Sequence, residues 1–550
     1  MTDTALIANR RFFLAGAATL SATAIPANAA SNDAVLQKQI SSRLGSAVSP
    51  LTLMPAEVLS AVTSGTNTQD LTRYLQEAAD QAAARGCELN LHGAPGGWII
   101  RTTLDLTNVP TVIADFNCPI IADVTGDYPN GFAVTFGNPL VGAWVDRSNG
   151  LNILGTLRVS ANGRGRALNG IYLKGSYHNV NYIYATGFAG TGIYLDAVWD
   201  SFYGRIGADQ CGHPTETDAV GSYAIVLSSK DDSQNTTTIC SLQCESAYQR
   251  GIYANLLRYV LIGIHAERLA IIHPGDLNHY FLVSNTTVMQ GCFDARTPSR
   301  SPEGRAADGT SLATGAMRVK LNGDASSYNE MHFQHTDVRV DYGTGLNFTN
   351  LVCDNLTVVS PSSRIVFTLL VAGGACSLEQ NVTLIEPAIA TFLPTLNAKN
   401  LIVRGGTITR PIDFAEAIQG NILFDGVVIT EVQNTGRPAT GFLSAQFVNC
   451  NIGKYTGAFN STSKVKGGYV GTVALTSQAQ PDFDGTHFGS FGYRGDPGFL
   501  TRNCRCDGDA TWNTPAKVNY PAGTLTERVG YDAAGKFYQN TNGAAAWAVI

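Results

Sequence analysis

The sequence feature that most constrains this chain is a four-residue unit that recurs through its first half. Each copy reads apolar, variable, small or β-branched, and then a hydrogen-bonding residue. The five copies lie at 157–160, 183–186, 206–209, 242–245 and 264–267, with their last residues 26, 23, 36 and 22 positions apart. A period of this length is typical of a β-solenoid, in which each repeat forms one coil. The long spacing of 36 predicts an inserted loop at 211–222.

Strand alternation predicts which residues of each copy point outwards, because successive side chains lie on opposite faces of a strand and the apolar set must line the narrow interior. It assigns Val260, Ile262, Ile264 and Ala266 to the interior, and Leu261, Gly263, His265 and Glu267 to the outside. On the two preceding coils it places Ile206, Ala208, Cys240, Leu242 and Cys244 inside, and Arg205, Asp209, Ser241, Gln243 and Glu245 outside.

Composition supports an all-β chain. The 550 residues include 57 glycines, and only 15% are charged, while short runs rich in Val, Ile, Thr and Tyr are broken by Gly and Asn. A net charge of −6 and the lack of a Lys/Arg cluster argue against a nucleic-acid partner. Beyond the N-terminus, no apolar run is long enough to cross a bilayer.

The stretch before the repeats predicts a short helix and then a turn. Thr68 is a candidate N-cap, apolar residues follow at helical spacing from Leu71 to Ala82, and Gly86 ends the helix. The following segment, LHGAPGGWII at 91–100, resembles the first turn of the pectate-lyase superfamily. The resemblance covers residues 67–106 and implies a right-handed parallel β-helix with an N-terminal capping helix. It also implies a protein that binds or cuts polysaccharides.

The first 30 residues are predicted to be a targeting signal. Arg10 and Arg11 precede an apolar stretch and the small-residue site Ala27-Asn28-Ala29. The segment Asn9–Leu14 resembles a twin-arginine signal, which implies a secreted or periplasmic protein. An apolar helix of a particle-binding segment is the alternative. Residues 31–66 are predicted to be a linker or loosely packed arm.

Three further boundaries follow from composition. The β-helix is predicted to span 67–475, with a protruding Pro/Ser/Arg-rich loop at 296–313. Residues 476–550 are predicted to form a small β-rich module in which DAAG and NTNG make hairpin turns. This module resembles the C-terminal regions of bacteriophage tailspikes, which implies a homotrimer and the virion tail as an alternative location.

The 11 cysteines show no metal-ligand spacing, so we expect no metal, no cofactor and mostly buried free thiols. Disulfides between Cys211 and Cys244, or between Cys504 and Cys506, are the alternatives.

Carboxylates at the last position of the repeat are the candidate catalytic groups. Stacked coils are separated by about 4.8 Å, so Asp209, Glu245 and Glu267 should form an outward row. Neighbours about 5 Å apart match a retaining glycosidase pair, and the outer two, about 9 to 10 Å apart, match an inverting pair. Close carboxylates raise one another's proton affinity, so that one serves as acid. His265 is a further candidate, and solvated surface charge is the alternative.

Aromatic and basic residues nearby are candidate substrate-binding groups, because flat rings suit the faces of sugars. They are Trp199, Tyr203, Tyr248, Arg250 and Arg268. A lyase would instead need a base and a cation beside a uronate, for which His265, Tyr248, Arg250 and Arg268 are candidates.

The first functional hypothesis is therefore a secreted, endo-acting polysaccharide hydrolase with a carboxylate pair on adjacent coils. A polysaccharide lyase is the second. A tailspike-like receptor-binding depolymerase and a non-catalytic glycan-binding adhesin are hypotheses of a different class.

Overall fold

The computed structural model describes residues 47–513 and the later segments 529–531, 537–540 and 547–549. Gaps within the first range fall at 165–166, 214–217, 230–231, 233, 249, 269–276, 285–286, 295–316, 335, 342, 360–363, 415–419, 436–442, 458–462, 476–480, 495–499, 503 and 507–509. The predicted signal peptide, the first part of the predicted arm and the predicted loop at 296–313 lie outside the described residues.

The prediction of a loosely packed arm is wrong from residue 47 onwards. A 3-10 helix, Pro50–Leu53, and helix α1, Ala56–Thr63, precede the predicted helix. Val48 forms a parallel bridge with Leu89, and Val58 and Val62 of α1 are buried. The segment was predicted to be loosely packed because its composition is polar. A short helix, however, can pack against the rest of the protein with only a few apolar residues on one side.

Helix α2, Thr72–Arg85, covers the first coils. Its N-cap is Leu71 rather than the predicted Thr68, and the Asp70 carboxylate accepts a hydrogen bond from the Thr72 N–H at 2.9 Å. Gly86 ends it with φ 61°, as predicted. The apolar side of α2 is buried against the strands that follow. Across the described residues, no helix combines the length and the hydropathy needed to span a membrane.

Forty-five strands of the described chain form one parallel sheet, in which each strand pairs with its counterpart on the next coil. In the coils that carry the candidate site, we call one set the A strands: Asn169–Ser176, Ile193–Trp199, Tyr223–Leu227 with Gln234–Asn235, Arg250–Leu257, His279–Ser284 and Met317–Asp324. The other set are the B strands: Asn152–Ala161, Asn179–Thr186, Phe202–Asp209, Thr238–Ile239 with Leu242–Glu245, Val260–Glu267, Val288–Asp294 and Ser327–Gln334. This architecture confirms the predicted all-β parallel solenoid.

The remaining strands extend the same sheet in both directions. Before the A and B strands lie Glu88–Asn90, Trp98–Ile100, Leu104–Asp105, Thr111–Ala114, Ile120–Ala122, Phe132–Phe136 and Ser148–Asn149. After them lie Thr336–Val340, Gly343–Thr344, Asn347–Thr349, Val352–Cys353, Asn355–Val358, Ile365–Thr368, Val371–Gln380, Val382–Ile385, Ala388–Lys399, Leu401–Arg404, Thr407–Ile408, Ile412–Asp413, Gly420–Asp425, Val428–Asn434, Leu443–Val448, Asn451–Gly457, Lys464–Lys466, Tyr469–Leu475, Asp482–Asp484, His487–Arg494, Leu500–Arg502, Arg505–Cys506 and Ala510–Asn513.

The register of the B strands confirms the sequence alignment of all five copies. Residues 183–186 pair with 157–160 on one side and with 206–209 on the other, and the series continues through 242–245 to 264–267. The coil from Asp209 to Glu245 is longer than its neighbours because it contains two insertions. One is the predicted loop before Tyr223, and the other lies between Leu227 and Asn235. Both insertions lie between strands, so the pairing of the strands themselves is unchanged.

The predicted alternation fails where the B strands turn a corner. Leu261 is fully buried, whereas Ile262 is 42% exposed, the reverse of the prediction. Gly263 has φ 63°, and the register shifts between Leu261 and Ile264. Cys240, predicted inside, is exposed at the same corner one coil earlier. Alternation restarts after the corner, so Ile264 and Ala266 are buried as predicted.

Stacked side chains fill the interior. Tyr328, Phe348 and Phe367 occupy equivalent positions on three coils, and their ring centroids are 4.6 and 4.5 Å apart with nearly parallel planes. Cys211 and Cys244 are buried free thiols, and burial raises the pKa of Cys211 to about 12. The alternative disulfide between them is therefore not formed.

The predicted boundary at residue 475 is wrong, because parallel coils continue to Asn513. The separate unit is smaller than predicted: Val529–Tyr531, Phe537–Asn540 and Trp547–Val549 form a three-stranded antiparallel sheet. Its two antiparallel pairings flank the predicted DAAG and NTNG turns, whose own conformation lies outside the described residues. The shift in composition after residue 475 therefore does not mark the end of the solenoid.

Two fully enclosed histidines predict a stability that falls in acid. Burial lowers the pKa of His178 to about 4 and that of His279 to about 3. In the unfolded chain both rings would protonate near pH 6.5, so stability is lost as the pH falls below that value. Each ring should cost about 2 kcal/mol of unfolding free energy between pH 7.5 and 5. His279→Gln should reduce this loss by one such increment, measured by urea unfolding at both pH values.

The matched control is His92→Gln, because His92 is exposed on a turn. This variant should keep the pH dependence of the original chain. If His279→Gln kept the pH dependence of the original chain, burial of the His279 ring would not be a cause of the acid sensitivity.

Candidate active site on the B strands

The ends of the B strands carry a row of carboxylates. Asp209, Glu245 and Glu267 pair in register on three adjacent coils, as the sequence predicts. The earlier coils place Ser160 and Thr186 at this position, so the row becomes acidic at Asp209. All three acidic side chains are half-buried rather than fully solvated. In the backbone register, the next position after Glu267 is Asp294, which the sequence comparison did not reach.

Arg268 bridges two members of the carboxylate row. Its guanidinium lies 3.4 Å from a Glu245 oxygen and 2.9 Å from a Glu267 oxygen. Arg268 follows the B strand and has φ 56°, and Gln210 and Ser246 adopt the same left-handed conformation at the equivalent turn of the preceding coils. The bridge offsets the repulsion that like charges on neighbouring strands would otherwise produce.

His265 lies beside both glutamates, one position closer to the corner. Its Nδ1 atom is 3.9 Å from a Glu245 oxygen, and its Nε2 atom is 3.6 Å from a Glu267 oxygen. The ring is 43% exposed, more than either carboxylate. A histidine in this position is accessible to a bound molecule while two carboxylates orient it.

A chain of hydrogen bonds extends the site by one coil. Arg205 donates to the Gln243 side-chain oxygen, and the Gln243 amide nitrogen donates to Glu245. Gln243 pairs in register with His265, so the two side chains form a second outward row beside the carboxylates. Neither Gln243 nor Arg205 was a candidate from the sequence.

Aromatic rings border the carboxylate row on its N-terminal side. Tyr182 and Tyr184 lie 5.9 Å apart between ring centroids, and Phe116 lies 6.0 Å from Tyr184. Arg205 covers the Tyr182 ring at 4.7 Å. The next coil has Gly207 opposite Tyr184, and a Cβ there would meet the Tyr184 ring at 2.8 Å. The glycine therefore leaves room for the tyrosines to lean towards the acidic coils.

Both tyrosines keep their protons at neutral pH. Burial raises the pKa of Tyr184 well above its ordinary value, and the nearby Asp209 charge adds to the effect. Burial also raises the pKa of Tyr182. The two hydroxyls are therefore hydrogen-bond donors next to the carboxylates.

The other four sequence-predicted substrate residues each contact a side chain outside the carboxylate row. The prediction that Tyr203 binds substrate at the surface is wrong, because its ring is fully buried. Its hydroxyl forms a hydrogen bond with His178 Nδ1 at 2.7 Å. Trp199 ends an A strand against Trp144, with ring centroids 4.3 Å apart. Arg250 begins an A strand, and its guanidinium lies 5.7 Å from the Tyr223 ring centroid. Tyr248 lies just before that strand, and the Arg164 guanidinium lies 5.7 Å from the Tyr248 ring centroid. Of the five predicted binding residues, Arg268 joins the carboxylate cluster.

No protein-family model and no curated protein matches this chain. The geometry alone therefore defines the class of site: an outward row of carboxylates with a bridging arginine, an accessible histidine and adjacent aromatic rings. Such a surface can bind a polyhydroxylated chain and exchange protons with it.

Removing the Arg268 bridge should destabilise these coils. Arg268→Gln leaves Glu245 and Glu267 facing each other without the guanidinium, and we expect a loss of about 1 kcal/mol in unfolding free energy at low salt. Adding Glu267→Gln should recover part of the loss, because the like-charge pair is then removed. Urea unfolding of the four chains of this double-mutant cycle measures the coupling. Strictly additive effects would show that Arg268 does not act through Glu267.

Proposed function

We propose that the protein hydrolyses a polysaccharide that lies along its B strands, with Glu245 as nucleophile and Asp209 as general acid. The observation that carries the proposal is the register of the carboxylate row, in which Asp209 and Glu245 occupy equivalent positions on adjacent coils. A coil spacing of about 4.8 Å suits the carboxyl separation of about 5 Å that retaining glycosidases use.

Hydrogen-bond donors hold the Glu245 carboxylate in place for its role as nucleophile. Gln243 and Arg268 both donate to its oxygens. Glu267 binds the same guanidinium. Asp209 pairs in register with Glu245 on the adjacent coil, and we assign it the role of general acid. Glu267 then acts as a positioning residue that holds Arg268 and His265.

The aromatic rings supply a binding surface for the substrate. Phe116 is 42% exposed, and Tyr182 and Tyr184 are half-buried beside it. Sugar rings present apolar C–H faces that pack on such rings, while the tyrosine hydroxyls and Arg205 remain available for hydrogen bonds. A chain bound here would extend along the solenoid axis from the tyrosines across the carboxylate row.

One observation favours β-elimination as a second candidate function. The half-exposed His265 ring pairs in register with Gln243, and the exposed Arg205 guanidinium donates to the Gln243 side chain. A lyase requires a base at the sugar C5 proton and a cation that stabilises the uronate carboxylate. His265 would be the base and Arg205 the cation.

Incubation with a panel of plant and bacterial polysaccharides tests the proposal. We expect new reducing ends without the ultraviolet absorbance of unsaturated uronates. Both signals together would establish elimination instead, and neither signal across the panel would favour a binding protein. Asp209→Asn and Glu245→Gln should each lower kcat by about 10²-fold to 10⁴-fold, since each removes a group that transfers a proton or attacks carbon.

Glu431→Gln is the matched control for these variants. Glu431 is also a carboxylate paired with a cation, Lys454 at 2.9 Å, but it lies on a distant coil. This variant should retain full activity. Full activity in both Asp209→Asn and Glu245→Gln would refute the assignment of the carboxylate row.

Tyr184→Ala should weaken substrate binding more than turnover. Loss of a stacked ring costs about 1 kcal/mol, so KM should rise about fivefold with a smaller change in kcat. Initial-rate kinetics on the best polysaccharide of the panel measure both values. An unchanged KM would place the substrate away from this ring.

A further inference from the structure

A second polar site, which we call the A-strand cavity, lies where the last A strand, Met317–Asp324, pairs with Thr336–Val340 and the series continues to Asn355–Val358, away from the carboxylate row. A cavity of about 530 Å³ opens there, within the size range of small-molecule sites. Its lining includes three cations, Arg318, Lys320 and Arg339, and two carboxylates, Asp337 and Asp341. Three positive and two negative groups leave the lining with one net positive charge. Nothing in the proposed hydrolysis uses this cavity.

Two outward rows of the solenoid build the cavity. Lys320 and Arg339 pair in register on adjacent coils, and Arg318 and Asp337 pair two positions earlier on the same coils. Asn355 continues the second row on the next coil. Because backbone pairing fixes these positions, the charged groups converge before any ligand binds.

Neighbouring side chains hold both carboxylates in place. Lys320 lies 2.5 Å from Asp341, and Arg339 donates to the other oxygen of the same carboxylate. Burial opposes ionisation of Asp341, but these hydrogen bonds lower its pKa below the ordinary value. Asn355 donates to one Asp337 oxygen at 2.7 Å.

The charge pattern selects among anionic ligands. A phosphate dianion carries more charge than one net positive group balances, and Asp337 and Asp341 would repel it. A sugar acid carries a single carboxylate, which Arg or Lys binds with charge-assisted hydrogen bonds. Its hydroxyls are donors for the two aspartates.

An aromatic row leads up to Lys320, one of the residues that line the cavity. Tyr253 and Tyr280 precede Lys320 at the equivalent position of the two preceding coils, with their rings stacked at 5.0 Å. The Lys320 ammonium lies 5.5 Å from the Tyr280 ring centroid. The Tyr280 ring therefore supports the ammonium from the side of the preceding coil.

From this arrangement we propose that the A-strand cavity binds one acidic sugar residue, such as a uronate, as a non-catalytic site. Arg318 and Lys320 bind the sugar carboxylate, and Asp337, which Asn355 holds in place, binds its hydroxyls. The site is independent of the carboxylate row, so it holds whether or not the B strands cleave glycan.

Calorimetric titration of the full-length protein with trigalacturonate tests this site. The comparison ligands are the same trisaccharide with its carboxyls reduced to alcohols, and inorganic phosphate. We expect both to bind at least about tenfold more weakly than trigalacturonate, the effect of one lost charge-assisted contact. Equal binding of the reduced trisaccharide, or of phosphate, would overturn the proposal.

Substitutions of the cavity's cations test whether trigalacturonate binds there. Arg318→Gln and Lys320→Gln should each weaken trigalacturonate binding by about tenfold, and Arg318 is half-exposed, so its replacement should not disturb folding. Lys454→Gln, a surface cation on a distant coil, is the control and should bind as the original chain does. Unchanged affinity in both cavity variants would overturn the proposal.

Glu245→Gln separates this site from the proposed hydrolysis. It should bind trigalacturonate with unchanged affinity, because Glu245 lies on the B strands. Loss of binding in that variant would place the ligand at the carboxylate row instead and overturn the A-strand site.

Discussion

The backbone hydrogen bonds between coils are the constraint on which the rest of the molecule depends. They hold equivalent residues of successive coils about 4.8 Å apart, so a residue type that recurs becomes a continuous row. Apolar rows stabilise the interior, as with Tyr328, Phe348 and Phe367. An acidic row has the opposite effect, since its members repel. The Arg268 guanidinium between Glu245 and Glu267 is the local compensation.

The carboxylate row could be predicted from the sequence because its four-residue unit spans one short straight segment. Within such a segment alternation is strict, and Glu245 and Glu267 do face outwards. The same rule failed at Leu261 and Ile262, because Gly263 turns the chain at a corner that hydrophobicity does not reveal. The predicted binding role of Tyr203 was wrong for a related reason. The presence of an aromatic residue does not indicate whether its ring points into the core.

The outward positions of Tyr182 and Tyr184 could also have been predicted from strand alternation, although the comparison of repeats did not consider them. Alternation through 179–186 places Ile183 and Ala185 inside, and therefore Tyr182 and Tyr184 outside with Thr186. Their lean towards the acidic coils depends on the small residue opposite, Gly207, and on the cation of Arg205. Contacts of this kind join residues that share no repeated pattern, so they emerge only when the register of neighbouring coils is known.

The two insertions in the coil between Asp209 and Glu245 show how this architecture separates loop length from site geometry. One extends the turn before Tyr223, and the other interrupts the A strand after Leu227, yet Asp209 still pairs with Glu245. Loop length outside the strands can therefore vary while the carboxylate row keeps its positions. Such a scaffold can lengthen or shorten its loops without moving the side chains that its strands carry.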